Sequence, residues 1–437
     1  MAIQALLVIL AVLLVLLFLG VPISYAIAVS SLTAILSSID LNVAVLTAAQ
    51  RTFVGMSKFS LTAIPFFILA GNIMNQGGIA KRLVDFVMAI LGKLPGALLV
   101  TNIGTNALFG AISGSGPATA AAIGGIMIGA MVSQGYSKGY SGALIAAGST
   151  IGPVIPPSIP MIMYGVTIGV SVSYMFIAGI IPGILMGVAL MIYNYFTSKK
   201  RGYKGRETQA KTAAEKAKVL KDAIPAILMP IIILGGIYSG VFTPTESAVI
   251  GVVYSIIVAV FVYHQLTWKR FCQAMFDATI TSATIMVLFG AANTFGRILT
   301  MNSVPTMVTQ WMLSVTSSKA LIMLMINIAL LIIGMFLDTI SSIVLFGPIF
   351  APIAIAIGYD PLHFGIIMVI NLCIGMITPP MGGNLFVAQR VSNTTFEEIF
   401  KDTLPMILVL YLLLALLIIF PQITMFLPKL LGYVYNG

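Results

Sequence analysis

Three long stretches of this chain contain no Asp, Glu, Lys or Arg: Met1–Ile39, Leu94–Ser137 and Gly139–Ser198. A soluble domain needs charge over its whole surface, about a quarter of its residues. Here 8% of residues are charged and 59% are hydrophobic. A helix crossing a bilayer takes about 20 apolar residues, so each uncharged stretch is too long for one crossing and must hold several. The fold class that follows is an all-α polytopic membrane protein. Met1–Gly20 lacks the basic leading region of a secretory signal, and its apolar run continues past Pro22. It is expected to remain as a span, with Gly20-Val21-Pro22 as a tight connection into the next.

The formal net charge is +10. In a soluble chain that balance would suggest nucleic acid. Here it is concentrated in short connections, above all Lys199–Lys221, which carries Lys199, Lys200, Arg201, Lys204, Arg206, Lys211, Lys216, Lys218 and Lys221. Loops rich in Lys and Arg stay in the cytoplasm, with attraction to anionic lipid as an addition. The partner of this charge is the membrane, and no nucleic acid is expected. Cys272 and Cys373 have no metal-ligand spacing and read as small apolar fillers.

A weak self-similarity runs through the chain. Pro22 and Pro244 each follow a Gly-Val step and open a span, and Asn72 matches Asn293. The stripe Ile79, Leu83, Phe86, Val87, Ile90 matches Val304, Val308, Trp311, Met312, Val315. Gly124 pairs with Gly347, and Gly152-Pro153-Val154-Ile155-Pro156-Pro157 with Gly375-Met376-Ile377-Thr378-Pro379-Pro380. These matches keep the same order at offsets of 221 to 225 residues. The chain therefore reads as two copies, 1–197 and 222–437, joined by a basic linker at 198–221. Each copy is expected to hold a hairpin, at about 95–131 and about 320–357, and a broken helix, at about 138–170 and about 362–389. A copy has five crossings if its hairpin turns back inside the membrane and seven if it crosses twice. Either number is odd, so the copies are inverted. With the linker in the cytoplasm both termini lie outside, 17 basic residues fall inside and four outside: Arg51, Lys58, Lys319 and Lys429.

Inverted-repeat transporters bind near the midplane, where helices break. Irregular backbone is tolerated in lipid only where protein buries it or a cavity receives it. Each copy offers two interruptions: Ser113–Pro117 and Gly152–Ser158, then Asp338–Ser342 and Gly375–Asn384. Pro156-Pro157 and Pro379-Pro380 remove amide donors and leave carbonyls that suit a hard cation. A plain structural kink is the alternative, and the duplication favours an ion site. Ser115 aligns with Asp338, a lone acid between two apolar runs. An acid at mid-membrane costs about 2.5–3.5 kcal/mol on insertion scales, and a bound cation offsets that. A protonated structural Asp and a loop residue remain the other readings. Glu246 reads as a helix cap. Asn72 and Asn293 contact substrate or bond across helices, and Arg297 meets a carboxylate or snorkels outward. His264 and His363 read as interfacial. No phosphate-binding glycine loop, paired-acid site or nucleophile–base arrangement is present, so neither an enzyme nor an ATP-driven motor is expected.

Four motifs together carry a resemblance along essentially the whole chain: Ile64-Pro65-Phe66-Phe67-Ile68-Leu69-Ala70-Gly71-Asn72, Ser113-Gly114-Ser115-Gly116-Pro117-Ala118-Thr119, Gly152-Pro153-Val154-Ile155-Pro156-Pro157-Ser158 and Thr378-Pro379-Pro380-Met381-Gly382-Gly383-Asn384. The chain resembles the large membrane subunit of tripartite ATP-independent periplasmic (TRAP) transporters. The resemblance implies an elevator, in which a transport domain of two re-entrant hairpins and two broken helices slides against a scaffold. It settles the hairpins in favour of re-entry. It implies a bacterial inner-membrane location, a small four-helix membrane subunit, a periplasmic substrate-binding protein, and symport of an organic acid with at least two sodium ions. One sodium site would use Ser113, Ser115, Gly152, Ile155 and Pro157, and the other Asp338, Thr378, Met381 and Gly383. Substrate would lie between the hairpin tips, near Ser115, Gly116, Thr119, Ser341 and Ser342, with Arg297 a further candidate. Sialic acid is the first expectation and a four-carbon dicarboxylate the second. The alternative is a stand-alone elevator-type transporter of another anion family.

Overall fold

A computed structural model describes residues 2–36, 40–91, 96–203 and 213–435. Lys93 and the middle of the basic linker, with Lys204, Arg206 and Lys211, lie outside the described residues. Within them the chain forms twenty α-helices. Eight helices are long and apolar enough to cross a membrane. Helices are what such a sequence must form, because lipid leaves every backbone amide and carbonyl to be satisfied internally.

The first half runs α1 (Ala2–Phe18), α2 (Ile23–Leu36), α3 (Leu41–Met56), α4 (Ala63–Gln76) and α5 (Ile79–Leu91). Next come α6 (Ala97–Ser113), α7 (Gly116–Ser133), α8 (Lys138–Ser149), α9 (Ile159–Ile168) and α10 (Val172–Arg201). The second half runs α11 (Ala213–Tyr238), α12 (Pro244–Ile257), α13 (Trp268–Met301), α14 (Val304–Val315) and α15 (Lys319–Phe336). It ends with α16 (Thr339–Ala356), α17 (Pro361–Gly375), α18 (Gly383–Ser392), α19 (Phe396–Ile419) and α20 (Gln422–Leu430). Local chemistry sets the boundaries. The 60° bend between α3 and the helical stretch that continues into α4 falls at Ser57 and Lys58. Helix α12 starts in a capping box, with the Thr243 hydroxyl on the Glu246 amide and the Glu246 carboxylate on the Thr243 amide. Glu246 is thereby a cap.

Packing sorts most of the helices into two groups, which meet where α4 and α5 pack on α6 and where α13 and α14 pack on α16. Helices α2 to α5 pack on α11, α12 and α13. Helices α6 to α10 pack among themselves and against α16 to α20, and α15 lies on α17. In the second group the two halves interlock: α7 and α8 pack on α18, and α8 on α19, while α9 packs on α16 and α17. Small residues allow this closeness. A Cβ on Gly142 would sit 2.9 Å from the Ser392 Oγ, and one on Gly139 would sit 3.0 Å from the Glu398 carbonyl.

The duplicated spacing has spatial counterparts. In the first half Gly110 of α6 abuts Gly152, whose Cα would collide with any Cβ at 110. In the second half Gly334 of α15 abuts Gly375, where an added Cβ would lie 2.7 Å from the Gly334 backbone. Two turns earlier in the first half, a Cβ on Gly148 would lie 3.2 Å from the Asn102 Oδ1. At the corresponding place Asn371 donates its Nδ2 to the Asn327 Oδ1 at 2.7 Å. Each hairpin's incoming arm is thus held against its own half's broken helix at matching points.

His363, at a helix end as the sequence suggested, is wholly buried within the protein in the first turn of α17. Helix α20, some sixty residues further on, covers it and supplies the Thr424 hydroxyl 2.6 Å from its Nδ1.

Candidate functional site

Both hairpins turn on the residue that opens the outgoing arm. Ser115 is the N-cap of α7 and Asp338 the N-cap of α16, both with extended backbone. The first tip depends on Gly114, whose φ of 59° favours glycine and whose Cβ position lies 2.8 Å from the Pro157 carbonyl. The tip is cross-linked by hydroxyls. The Ser113 and Thr119 hydroxyls lie 2.9 Å apart, and Thr119 donates to the Ser115 carbonyl at 2.7 Å. The break between α8 and α9 is pressed onto this tip, since a Cβ at Gly152 would meet the Thr119 Oγ1 at 2.9 Å and the Ser115 carbonyl at 3.5 Å. Ser113, Ser115, Gly152 and Pro157 are therefore brought together. Ile155 lies on the far side of the break, its side chain against Gly183 of α10.

The second tip is organised by Asp338. One carboxylate oxygen accepts the amides of Ile340 and Ser341 at 3.0 and 3.1 Å, and the other accepts the Ser341 hydroxyl. Ser342 donates to the Asp338 carbonyl at 2.8 Å. Both serine hydroxyls are buried and committed to this turn. Thr378 donates to the Ile374 carbonyl at 2.8 Å, Met381 is half exposed, and Gly383 starts α18.

The breaks leave oxygen atoms bare. Pro153, Pro156, Pro157, Pro379 and Pro380 supply no amide hydrogens. Among the described hydrogen bonds, the carbonyls of Gly152, Ile155 and Pro157 accept none, nor do those of Thr378 and Met381. An unmet buried carbonyl costs about 1–3 kcal/mol, so such a cluster is suited to a cation. Among the described residues no group of three His, Cys, Asp or Glu gathers as a transition-metal site would require.

The tips face each other. Gly114–Pro117 of one and Asp338–Ile340 of the other line a cavity of about 100 Å³, with Pro153 and Met376 from the two breaks. A neighbouring cavity of about 150 Å³ shares Ser115 and Ile340 and is closed by Asn72, Asn75 and Thr281. Asn72 also donates to the Ala274 carbonyl at 3.4 Å, joining α4 to α13. Arg297 is placed elsewhere. It lines a third cavity, of about 230 Å³, with Lys58, Asn293 and Thr300.

Four residues in or beside these cavities were not among the candidate ligands read from the sequence. Asn75 lies three residues after Asn72, on the same helical face, and that spacing was the available signal. Thr281 sits in a hydroxyl-rich run of α13, and Lys58 stands at the bend before α4 with no motif around it. Asn384 is wholly buried beside Gly116, with its Nδ2 donating to the Ser149 Oγ at 2.8 Å and its Oδ1 unpartnered among the described residues.

Comparison with known proteins adds the following. Residues 10–423 match the family model described as the tripartite ATP-independent periplasmic transporter, DctM component. An isethionate TRAP transporter permease protein of Oleidesulfovibrio alaskensis is 43% identical over 93% of this chain, which spans 64% of that relative's length. The sialic acid TRAP transporter large permease protein of Vibrio cholerae is 37% identical, covering 96% of this chain and 97% of its own. The C4-dicarboxylate TRAP transporter large permease protein of Pseudomonas aeruginosa is also 37% identical, over 92% of this chain and 93% of its own. Among solved structures, the Alcanivorax borkumensis YdaH transporter superposes with a TM-score of 0.61 at 14% identity, covering 88% of this chain and 89% of its own. That likeness concerns the fold alone.

Proposed function

The chain belongs to the DctM-component family of tripartite ATP-independent periplasmic transporters, and from that premise we propose that it moves a small organic acid across the bacterial inner membrane in symport with sodium. Its relatives are named as transport permeases, a role without catalysis. The observation that supports sodium is the pair of proline breaks in which the carbonyls of Gly152, Ile155, Pro157, Thr378 and Met381 accept no hydrogen bond among the described residues, set beside Ser113 and Ser115 in one half and Asp338 in the other. One ion would be held by Ser113, Ser115, Gly152, Ile155 and Pro157, and a second by Asp338, Thr378, Met381 and Gly383. Each net charge carried inward gains about 2.3 kcal/mol per 100 mV. Two sodium ions with one monoanion therefore draw on the membrane potential as well as the sodium gradient, and no ATP is needed.

The substrate would sit between the tips, near Ser115, Gly116 and Thr119, with Arg297 reaching its acidic group once the groups of helices shift. Because Ser341 and Ser342 are committed to Asp338, their contribution runs through the shape of the turn. The three relatives name isethionate, sialic acid and C4-dicarboxylates. The tip cavities, about 100 and 150 Å³, fall below the usual 300–1,000 Å³ of drug-sized pockets. Their size favours a two- to four-carbon acid over the larger sialic acid. In this reading α6 to α10 with α15 to α20 form the moving part of an elevator, and the inverted halves supply its two end states. A small membrane subunit would brace the other helices, a periplasmic binding protein would deliver the acid, and both termini would lie in the periplasm.

The decisive experiment is uptake into proteoliposomes of isethionate, a C4-dicarboxylate and sialic acid. Sodium, small subunit and binding protein are each omitted in turn. Accumulation is expected only with all three present. Accumulation by this chain alone would establish a stand-alone transporter, and accumulation without sodium would remove the ion sites.

A further inference from the structure

A cavity of about 680 Å³ lies away from the hairpin tips, where α15, α17, α19 and α20 meet. The starts of α15 and α17 and the end of α19 all contribute to it, so it lies at the ends of these helices, where the inverted-repeat reading sets the outer face of the membrane. Lys319 and Lys429 both line it. Neither has an ion pair or side-chain hydrogen bond among the described residues. Asp360, the one acid in the lining, accepts the Leu362 amide at 2.7 Å and the Tyr433 hydroxyl at 3.2 Å on one oxygen, Oδ1, and makes no ion pair with either lysine among the described residues. The buried Nε2 of His363, also in the lining, has no partner among the described residues.

Beside the lysines the wall is apolar, through Met323 and Leu324 one turn into α15 and Ile418 and Ile419 at the end of α19. Leu324 and Ile419 are 54% and 68% exposed, so this wall is continuous with the lipid-facing surfaces of α15 and α19. The site thus has two lysines and a single acid at the helix ends, beside an apolar wall open to the outer surface. By the positive-inside reading, only four basic residues lie on the outer face, and two of them converge here.

We propose that this cavity binds an anionic phospholipid, with its phosphate between Lys319 and Lys429 and an acyl chain leaving past Leu324 and Ile419 into the bilayer. A soluble anion has no use for the apolar wall. A neutral acyl ligand leaves the two lysines with Asp360 as their single counter-charge. The proposal does not rest on the transport reading.

The test is native mass spectrometry of the full chain in detergent, supplied with phosphatidylglycerol, phosphatidylethanolamine or inorganic phosphate. Phosphatidylglycerol is expected to be retained over phosphatidylethanolamine. In the Lys319→Gln/Lys429→Gln double variant its retention should fall by about thirtyfold, as the loss of two surface lysines implies for an anionic headgroup. Lys319→Arg/Lys429→Arg should restore it, which separates lost charge from lost fold. Lys269→Gln, at the exposed start of α13, should change nothing. Equal retention in the double Gln variant, an equal loss in Lys269→Gln, or displacement of the lipid by inorganic phosphate would each overturn the proposal.

Discussion

Asp338 carries two roles that a substitution can separate. It caps α16 through the amides of Ile340 and Ser341, and it is the proposed carboxylate ligand of a sodium ion. Asp338→Asn keeps an N-cap of similar worth, whereas Asp338→Ala loses about 1 kcal/mol of helix stability. Both variants are expected to insert into the membrane and to lose sodium-dependent uptake. Uptake retained by the Asn variant alone would reduce Asp338 to a cap. In the first tip, Thr119→Val removes the hydroxyl that joins Ser113 to the Ser115 carbonyl. A loss of about 1 kcal/mol is expected, read as a several-fold higher sodium concentration for half-maximal uptake; an unchanged value would mean that this link does not shape the ion site. Ser115 and Asp338 stood out in the sequence because duplication set them at equivalent points. Asn384 was named only as the end of the second break, because what makes it unusual is an oxygen unpaired among the described residues, which only the fold reveals.

The helices themselves were readable as elements, since glycine, proline and hydroxyl clusters interrupt otherwise apolar runs at the same places where α6 gives way to α7, α8 to α9, α15 to α16 and α17 to α18. Their neighbours were not readable. A helix that is apolar all round declares no inner face, and lipid provides no hydrophobic drive to sort helices, so small residues and close van der Waals contact decide the pairing. The glycine contacts show that decision. Gly375→Ala would drive a Cβ to 2.7 Å from the Gly334 backbone, and rigid overpacking of this kind costs about 1–3 kcal/mol. A lower melting temperature in detergent is expected for Gly375→Ala and Gly110→Ala. Gly129→Ala in α7, where a Cβ meets nothing within 4 Å, should leave melting unchanged or raised. Similar melting of all three would show that the close contacts are not what hold the arms.

Between the two groups of helices, Lys58 makes a polar tie: its Nζ donates to the Val166 carbonyl at 3.0 Å, joining the bend before α4 to the end of α9. As an exposed contact it is worth about 1 kcal/mol or less, enough to move a two-position equilibrium by several-fold. Lys58→Met should therefore lower the yield of cross-linking by a bis-maleimide between cysteines placed at Ser60 and Val170, which line the same 610 Å³ cavity, in a background carrying Cys272→Ser. An unchanged yield would show that the tie does not hold this arrangement.

The interlocked halves also fix an order of events at birth. Residues of α8 rest on α18 and α19, which leave the ribosome more than two hundred residues later. Until translation is nearly finished, the glycine- and alanine-rich side of α8 has only lipid for company. The amino-terminal half must therefore wait in the bilayer, inserted yet incomplete, and a chain cut short in the central linker presents quality-control proteases with a permanently unfinished surface.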